Sequence, residues 1–460
     1  MKYAKQQSGA SQLQAAKRDR SVILDTWKVK NIAEQLGYKN LATFEREFNR
    51  FSGVHADINT TAPRNAWYGR KLDKNKATAI AVFLGFNSYE ALLPEDCTEW
   101  IFPAALTWDA DYSPPGALLK AEYSIVPFHQ REAEMQDLLA WCEADNKLAV
   151  RLYTGVGGMG KTRLAIELCR VVQHSLQWQT GFLRQRQASY YELERFACLQ
   201  NKANPVLIIV DYAETRRLEL TLLLQAALHA DSKIRIILLA RSALDWWVQL
   251  RTANQGVGDL LMSRATQVIA LQALGTTAQQ REESFFLAAD SFTKQLKAPP
   301  LLSLPQDLDA AYFDRVLLLH MQALISVEGK ATTTGLKGIL DVILNRERHF
   351  WESHAKAVHL PVSLYKAIGI AIARITLLGG VKSRDEVMEV LDYIPLLKDS
   401  RWHEKQLIID LLHNLYPSSQ TGRNANAQTY YIEPLQPDLL GEYLIQQYIQ
   451  AEIPLWDNFT

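Results

Sequence analysis

Two rhythms of apolar residues alternate along this chain. From Val22 to about Leu93 apolar positions recur at helical spacing. Within that stretch IAEQLGY (Ile32 to Tyr38) and IAVFLGF (Ile80 to Phe86) repeat the pattern Ile-Ala-x-x-Leu-Gly-aromatic, each reading as a short helix stopped by glycine. From Lys147 to Arg241 the pattern changes to short β-rich runs, LAVRLYT, PVLIIV and IRIILLAR, separated by helical segments. That alternation predicts a parallel sheet with crossover helices. Beyond about Ala270 only amphipathic helices are expected, such as FDRVLLLHMQALISV and WHEKQLIIDLLHNLYP. The stretch from Trp108 to Tyr123 carries paired prolines and a glycine, the composition of a linker. The expected organisation is a flexible 1–20, a small helical module over 21–107, a linker over 108–122, an α/β domain over 123–270 and a helical region over 271–460.

The chemistry sits in the α/β part. GVGGMGKT, Gly155 to Thr162, satisfies G-x-x-x-x-G-K-[ST] between an expected strand and an expected helix. Gly155, Val156, Gly157, Gly158, Met159 and Gly160 can turn backbone N–H groups inward around an anion at a positive helix end, with Arg163 just inside that helix. Lys161 would reach the outer phosphates of a nucleotide, and the Thr162 hydroxyl would bind Mg²⁺. A second acid should leave a buried neighbouring strand, and Asp211 does so at the end of VLIIV, as a metal-site carboxylate. Glu214 polarises an attacking water on one reading and is a salt-bridged surface glutamate on the other. Arg241, at the end of IRIILLAR, either reports on the γ-phosphate or pairs with Asp211 or with the domain below. Lys161, Asp211, Glu214 and Arg241 are the candidate catalytic set.

Composition narrows the class. Apolar residues make up 48% and charged residues 22%, as in a folded globular chain. Lys+Arg and Asp+Glu both number 50, but residues 1–76 hold 15 basic against 7 acidic, which leaves 35 against 43 for the rest. The N-terminal part is therefore basic, and nucleic acid or an acidic partner is to be weighed there. Four dispersed cysteines without ligand spacing point to a reduced, cytoplasmic chain. No run of 18 apolar residues is present, so no membrane span is expected.

GGMGKT, VDYAE and LLARSALDWW together resemble the signal-transduction ATPases with numerous domains (STAND), the class that contains NACHT and NB-ARC proteins. PGALLKAEYSIVPFHQREAEMQDLLAWC, and LYP followed by EPLQPDLLGEYLI, look like a bacterial branch that often continues into tetratricopeptide repeats; the likeness spans about residues 114 to 448. The resemblance implies a P-loop ATPase core with a helical, winged-helix-like C-terminal region. It implies ADP in a closed resting form, ATP in an open form that associates with copies of itself, slow Mg²⁺-dependent hydrolysis, and a place in bacterial signalling or antiviral defence. By the same likeness VPFHQRE, with Phe128 and Arg131, flanks the adenine. Related chains place a proline against the base where this one has Val316. His320, one turn on, is read as a satisfied core histidine, the alternative being a phosphate contact. No repeat of the branch's usual length follows Ile449, so sensing is expected in a separate protein or in the helical C-terminal part.

NIAEQLGYKNLATFEREFNRFSGV is similar to the helix-turn-helix of AraC-type regulators, and NAWYGRKLDKNKATAIAVFLGF to repressor-type modules. On that reading the helix from Leu41 to Phe51 enters a major groove, with Lys39, Arg46 and Arg50 on phosphates or base edges, and the chain is an ATP-dependent transcription regulator. Glu45 and Glu47 on the same helix would repel phosphate, which favours an adaptor that binds another protein.

Overall fold

The computed structural model describes residues 21–22, 26–38, 40–52, 62–67, 72–85, 100–101, 108–109, 113–184, 196, 199, 204–301, 303–305, 307–329, 335–416 and 430–451. The flexible segment expected over 1–20, and Lys39, lie outside them.

The N-terminal module packs four helices, α1 (Thr26–Gln35), α2 (Leu41–Ser52), α3 (Ala62–Trp67) and α4 (Lys74–Phe83). Phe44, Phe48 and Ile80 are buried at its centre. The repeated pattern does stop α1 and α4, since Gly37 and Gly85 both take φ of 90° just beyond them. Two details depart from the all-helical expectation. Ser21–Val22 (β1) pairs antiparallel with Leu72–Asp73 (β2). Trp100–Ile101 (β3) leaves the module altogether and pairs antiparallel with Leu183 and Phe182 on the main sheet, where it covers an edge strand that would otherwise be open.

After helix α5 (Glu132–Glu143) the chain builds the α/β domain from β4 (Leu148–Thr154), α6 (Lys161–Ser175), β5 (Gln179–Leu183), β6 (Val206–Val210), α7 (Arg217–Leu228), β7 (Ile234–Ala240), α8 (Asp245–Thr252), α9 (Gln255–Met262) and β8 (Thr266–Ala270). The sheet order is β3-β5-β6-β7-β4-β8, and every pairing except that of β3 is parallel. Every residue of β6 and β7 is buried, as central strands covered on both faces require. One layer packs Leu220, Leu223 and Trp247 on the sheet, and the other packs Leu138, Leu164 and Leu168. The loops that leave β4, β6 and β7 emerge at the same edge, the carboxyl end of a parallel sheet where ligands bind.

The remainder is helical: α10 (Ala278–Leu296), α11 (Val316–Val327), α12 (Gly335–Ala357), α13 (Tyr365–Leu377), α14 (Arg384–Asp392), α15 (Trp402–Leu415) and α16 (Asp438–Gln450). Helix α13 is buried along most of its length and forms the axis of this core. The only bridge found here among the described residues joins Val381 and Ile432 antiparallel. Segment 115–119, expected as linker, is a short 3-10 helix whose Leu118 and Leu119 belong to the same core as α11 to α16. It is pinned there by the buried carboxylate of Glu347, which accepts hydrogen bonds from Gly116 N and, at 2.6 Å, from the Tyr416 hydroxyl. A Cβ on Gly116 would lie 2.8 Å from Glu347 Oε1 and 3.0 Å from the carbonyl of Gln436, so the close approach needs glycine.

Candidate functional site

The loop between β4 and α6 forms the floor of a deep cleft. Gly158 and Gly160 take φ of 86° and 90°, a left-handed conformation that side chains with a Cβ adopt at a cost. Lys161 opens α6 with Gly160 as its N-cap, so the loop runs into a helix N-terminus, which favours an anion. The Lys161 ammonium folds back into this cup and donates to the carbonyls of Gly155 (2.6 Å) and Val156 (3.2 Å). Burial pulls it below the usual lysine range, against the opposing pull of Asp211 and Glu214. A partly buried cation at the N-terminus of a helix fits an anion.

Asp211 stands at the exit of β6 and meets the loop. Thr162 Oγ1 donates to its Oδ2 at 2.9 Å, and the Tyr212 amide donates to Oδ1 at 2.9 Å. Burial pushes the Asp211 carboxyl up to about 6, although both hydrogen bonds act the other way. Thr162 and Asp211 thus sit side by side as two hard oxygen donors, a set that suits Mg²⁺ when phosphate oxygens and water complete the shell. Glu214 lies in the 3-10 turn Ala213–Thr215; its Oε1 accepts from the Arg241 amide at 3.2 Å, while its Oε2 is closed off from solvent with no hydrogen-bond partner among the described residues. Glu214 is half-buried and lines the cleft beside Asp211 and Arg241.

Arg241 follows β7 as expected, and its guanidinium is already engaged. It pairs with Glu442 and, at 3.7 Å, with Asp438 of α16. Tyr212, held at a φ of 51°, donates its hydroxyl to Asp438 Oδ1 and Oδ2 at 2.8 and 2.7 Å. A left-handed non-glycine residue next to a candidate metal-site acid marks strain retained at a site. The α16 terminus thereby closes the end of the cleft where Asp211, Glu214 and Arg241 gather.

The rest of the lining mixes apolar side chains, Val126, Phe128, Val316 and Leu317, with His129, Arg131 and Arg163. Phe128 lines the cleft with the Arg163 guanidinium 5.6 Å above its ring, and Arg163 is held by Glu167 at 3.2 Å. Arg131 also lines the cleft; it donates to the carbonyls of Met159 (3.4 Å) and Gln272 (2.7 Å) and pairs with Glu134, so its guanidinium braces the loop. Helix α11 abuts the same loop. The Leu317 amide donates to the Gly158 carbonyl at 3.1 Å, and Val316, the first residue of the helix, faces Gly160.

Gly157 to Arg163, Asp211, Glu214 and Arg241 thus line one cleft from the ends of β4, β6 and β7, Phe128 and Arg131 join them from the segment ahead of α5, and Gly155 and Val156 are not part of the lining. Tyr212, Asp438, Glu442 and Leu317 were not singled out. Their partners lie far away in sequence, and only the position of Tyr212 directly after Asp211 carried a local signal.

No family model matches the sequence, and no curated protein does. Among solved structures the chain is similar to the Orc1 protein of Aeropyrum pernix in complex with DNA, at 16% identity over 73% of this chain and 97% of that one, with a TM-score of 0.35. It is similar to Cdc6p from Pyrobaculum aerophilum at 13% identity over 72% and 98% of the two chains, with a TM-score of 0.31. It is also similar to a STAND protein with a tetratricopeptide repeat sensor from Pyrococcus horikoshii, at 12% identity over 69% of this chain, 42% of that one, and a TM-score of 0.33. At such scores these likenesses bear no weight on function, and the reading that follows stands on the chain's own residues.

Proposed function

We propose that this chain is a nucleotide-gated switch of the STAND type, closed with ADP and opened by Mg²⁺-ATP into a form that self-assembles, with slow hydrolysis as its reset. The loop amides and Lys161 hold the phosphates, Thr162 and Asp211 offer oxygens to Mg²⁺, and Val126 to Phe128 flank the base. The metal, when bound, supplies positive charge to the phosphate chain. Glu214 orients the attacking water.

One observation carries this reading: Arg241, which lines the cleft together with Asp211 and Glu214, is paired with Asp438 and Glu442 of α16. A γ-phosphate competes with those carboxylates for the guanidinium, and repels them once it wins. The α16 terminus then leaves the cleft. A ligand moves such an equilibrium only by binding its two states unequally, and Arg241 provides the inequality. Particle size by light scattering tests it: larger particles with a non-hydrolysable ATP analogue than with ADP support the switch, and equal sizes sink it.

The N-terminal module then serves as the output, brought together by assembly in bacterial signalling or defence. Arg46 and Arg50 are tied to Glu47, and Arg64 to Glu45, which favours a protein partner over DNA. A gel-shift titration at low salt separates the two, since contacts to phosphates give a steep salt dependence.

A further inference from the structure

Helix α11 places an imidazole in the lining of the cleft, among apolar side chains. Val316, Leu317 and His320 all line it, which places the imidazole one turn along the face that begins against the loop. Phe128 and Leu274 line the same cleft. His320 is not the satisfied core histidine expected from the sequence. No hydrogen bond of its ring is found among the described residues, and Nε2 is also closed off from solvent. The neighbouring His129 has both nitrogens engaged, with the Pro127 carbonyl at 2.8 Å and with Ser284 Oγ at 2.9 Å.

An unmade hydrogen bond in such a place costs free energy that a ligand can recover. The charge state decides which part of the ligand. Burial, with His129 and Arg163 nearby, pulls the imidazole down to about 3, so the ring is neutral at physiological pH. A phosphate selects a cation, and this site already has Lys161 and Arg163. A neutral ring, one nitrogen a donor and the other an acceptor, matches the edge of a heterocycle. Apolar side chains such as Phe128, Leu274, Val316 and Leu317 with a few placed polar groups among them are the usual form of a pocket that orients a flat ligand.

We propose that His320 reads the nucleobase and sets which base the cleft prefers. This rests on the cleft being a nucleotide site, and the experiment keeps the two questions apart. Calorimetry on the full chain compares ADP, GDP, CDP and pyrophosphate, for the parent protein and for His320→Phe and His320→Gln. The parent prefers one base by about tenfold, the worth of one well-placed hydrogen bond. His320→Phe keeps the ring and removes both nitrogens; its preference among bases collapses to about twofold while pyrophosphate binds as before. His320→Gln restores a donor and an acceptor and regains part of the preference. Unaltered base preference in His320→Phe overturns the proposal, as does an equal loss of pyrophosphate, which would make His320 a support of the loop. A parent that binds pyrophosphate without distinguishing bases also overturns it, and leaves the phosphate site standing. A native parent that binds none of the four sinks both readings.

Discussion

The hydroxyl of Tyr212 bonds both carboxylate oxygens of Asp438, at 2.8 and 2.7 Å, across 226 residues of chain. Together with Arg241 it ties the start of α16 to the residue that follows the candidate metal-site acid. Asp438→Asn with Glu442→Gln should loosen this closure. A hydrogen bond to a charged group is worth about 1.5–3 kcal/mol, so the open form should gain roughly 10- to 100-fold in population. Light scattering with ADP bound would show particles as large as those the parent forms with an ATP analogue; parent-sized particles with ADP would mean that the contact holds nothing shut.

Lys161→Ala should weaken ADP and ATP binding by about two orders of magnitude, because a charge-assisted contact in a desolvated cup is lost. Its hydrogen-bond partners are the carbonyls of Gly155 and Val156, so the thermal midpoint should move little. Calorimetry and a melting curve check the two halves of this statement.

Glu214→Gln should keep nucleotide binding and slow phosphate release by about 10²-fold, the usual contribution of a positioned general base. Single-turnover assays with radiolabelled ATP decide it. Hydrolysis at the parent rate would leave Glu214 as a cap for the Arg241 amide and nothing more.

Gly158→Ala places a Cβ 3.1 Å from Leu317 Cβ at a φ of 86°. The substitution should destabilise by about 1–2 kcal/mol, from the backbone conformation and the displaced helix together. Urea denaturation measures it, and a change below about 0.5 kcal/mol would show that α11 yields freely.

The carboxyl of Asp211, raised to about 6, makes stability depend on pH in an unusual direction. Its folded value lies above the ordinary 3.8, so the folded chain binds the extra proton between those limits. Nucleotide-free protein should therefore gain stability from this group as pH falls from 7 towards 4, and lose it again as pH rises through 6. Asp211→Asn should flatten that part of the profile of thermal midpoint against pH.

How much of this was readable in advance follows from how local each signal is. Strand β6 is a run of consecutive apolar residues because both its faces are covered, whereas β4 and β7 break the run with Arg151 and Arg235, and the acid at the exit of β6 is placed by its apolar pattern. The phosphate cup is an eight-residue sequence. Arg131 lines the cleft, and its bonds to the carbonyls of Met159 and Gln272 carry no signal in the sequence, because direction within a cleft is a tertiary property. The pairing of Trp100–Ile101 with β5 was hidden, since two residues are too few to carry a period. His320 shows the limit most clearly: its sequence context is a buried helix, and only the packing of α11 on the loop leaves its ring without a partner.

The bond between Gly116 and Glu347 bears on how this chain can be divided. The polypeptide passes through the last helical region before it enters the sheet, so residues ahead of the phosphate loop take their shelter from residues two hundred positions beyond it. A fragment cut after the sheet would bare Leu118, Leu119 and Val126 together and should clump. Excising the nucleotide domain cleanly therefore means starting beyond that strap or retaining everything through α16.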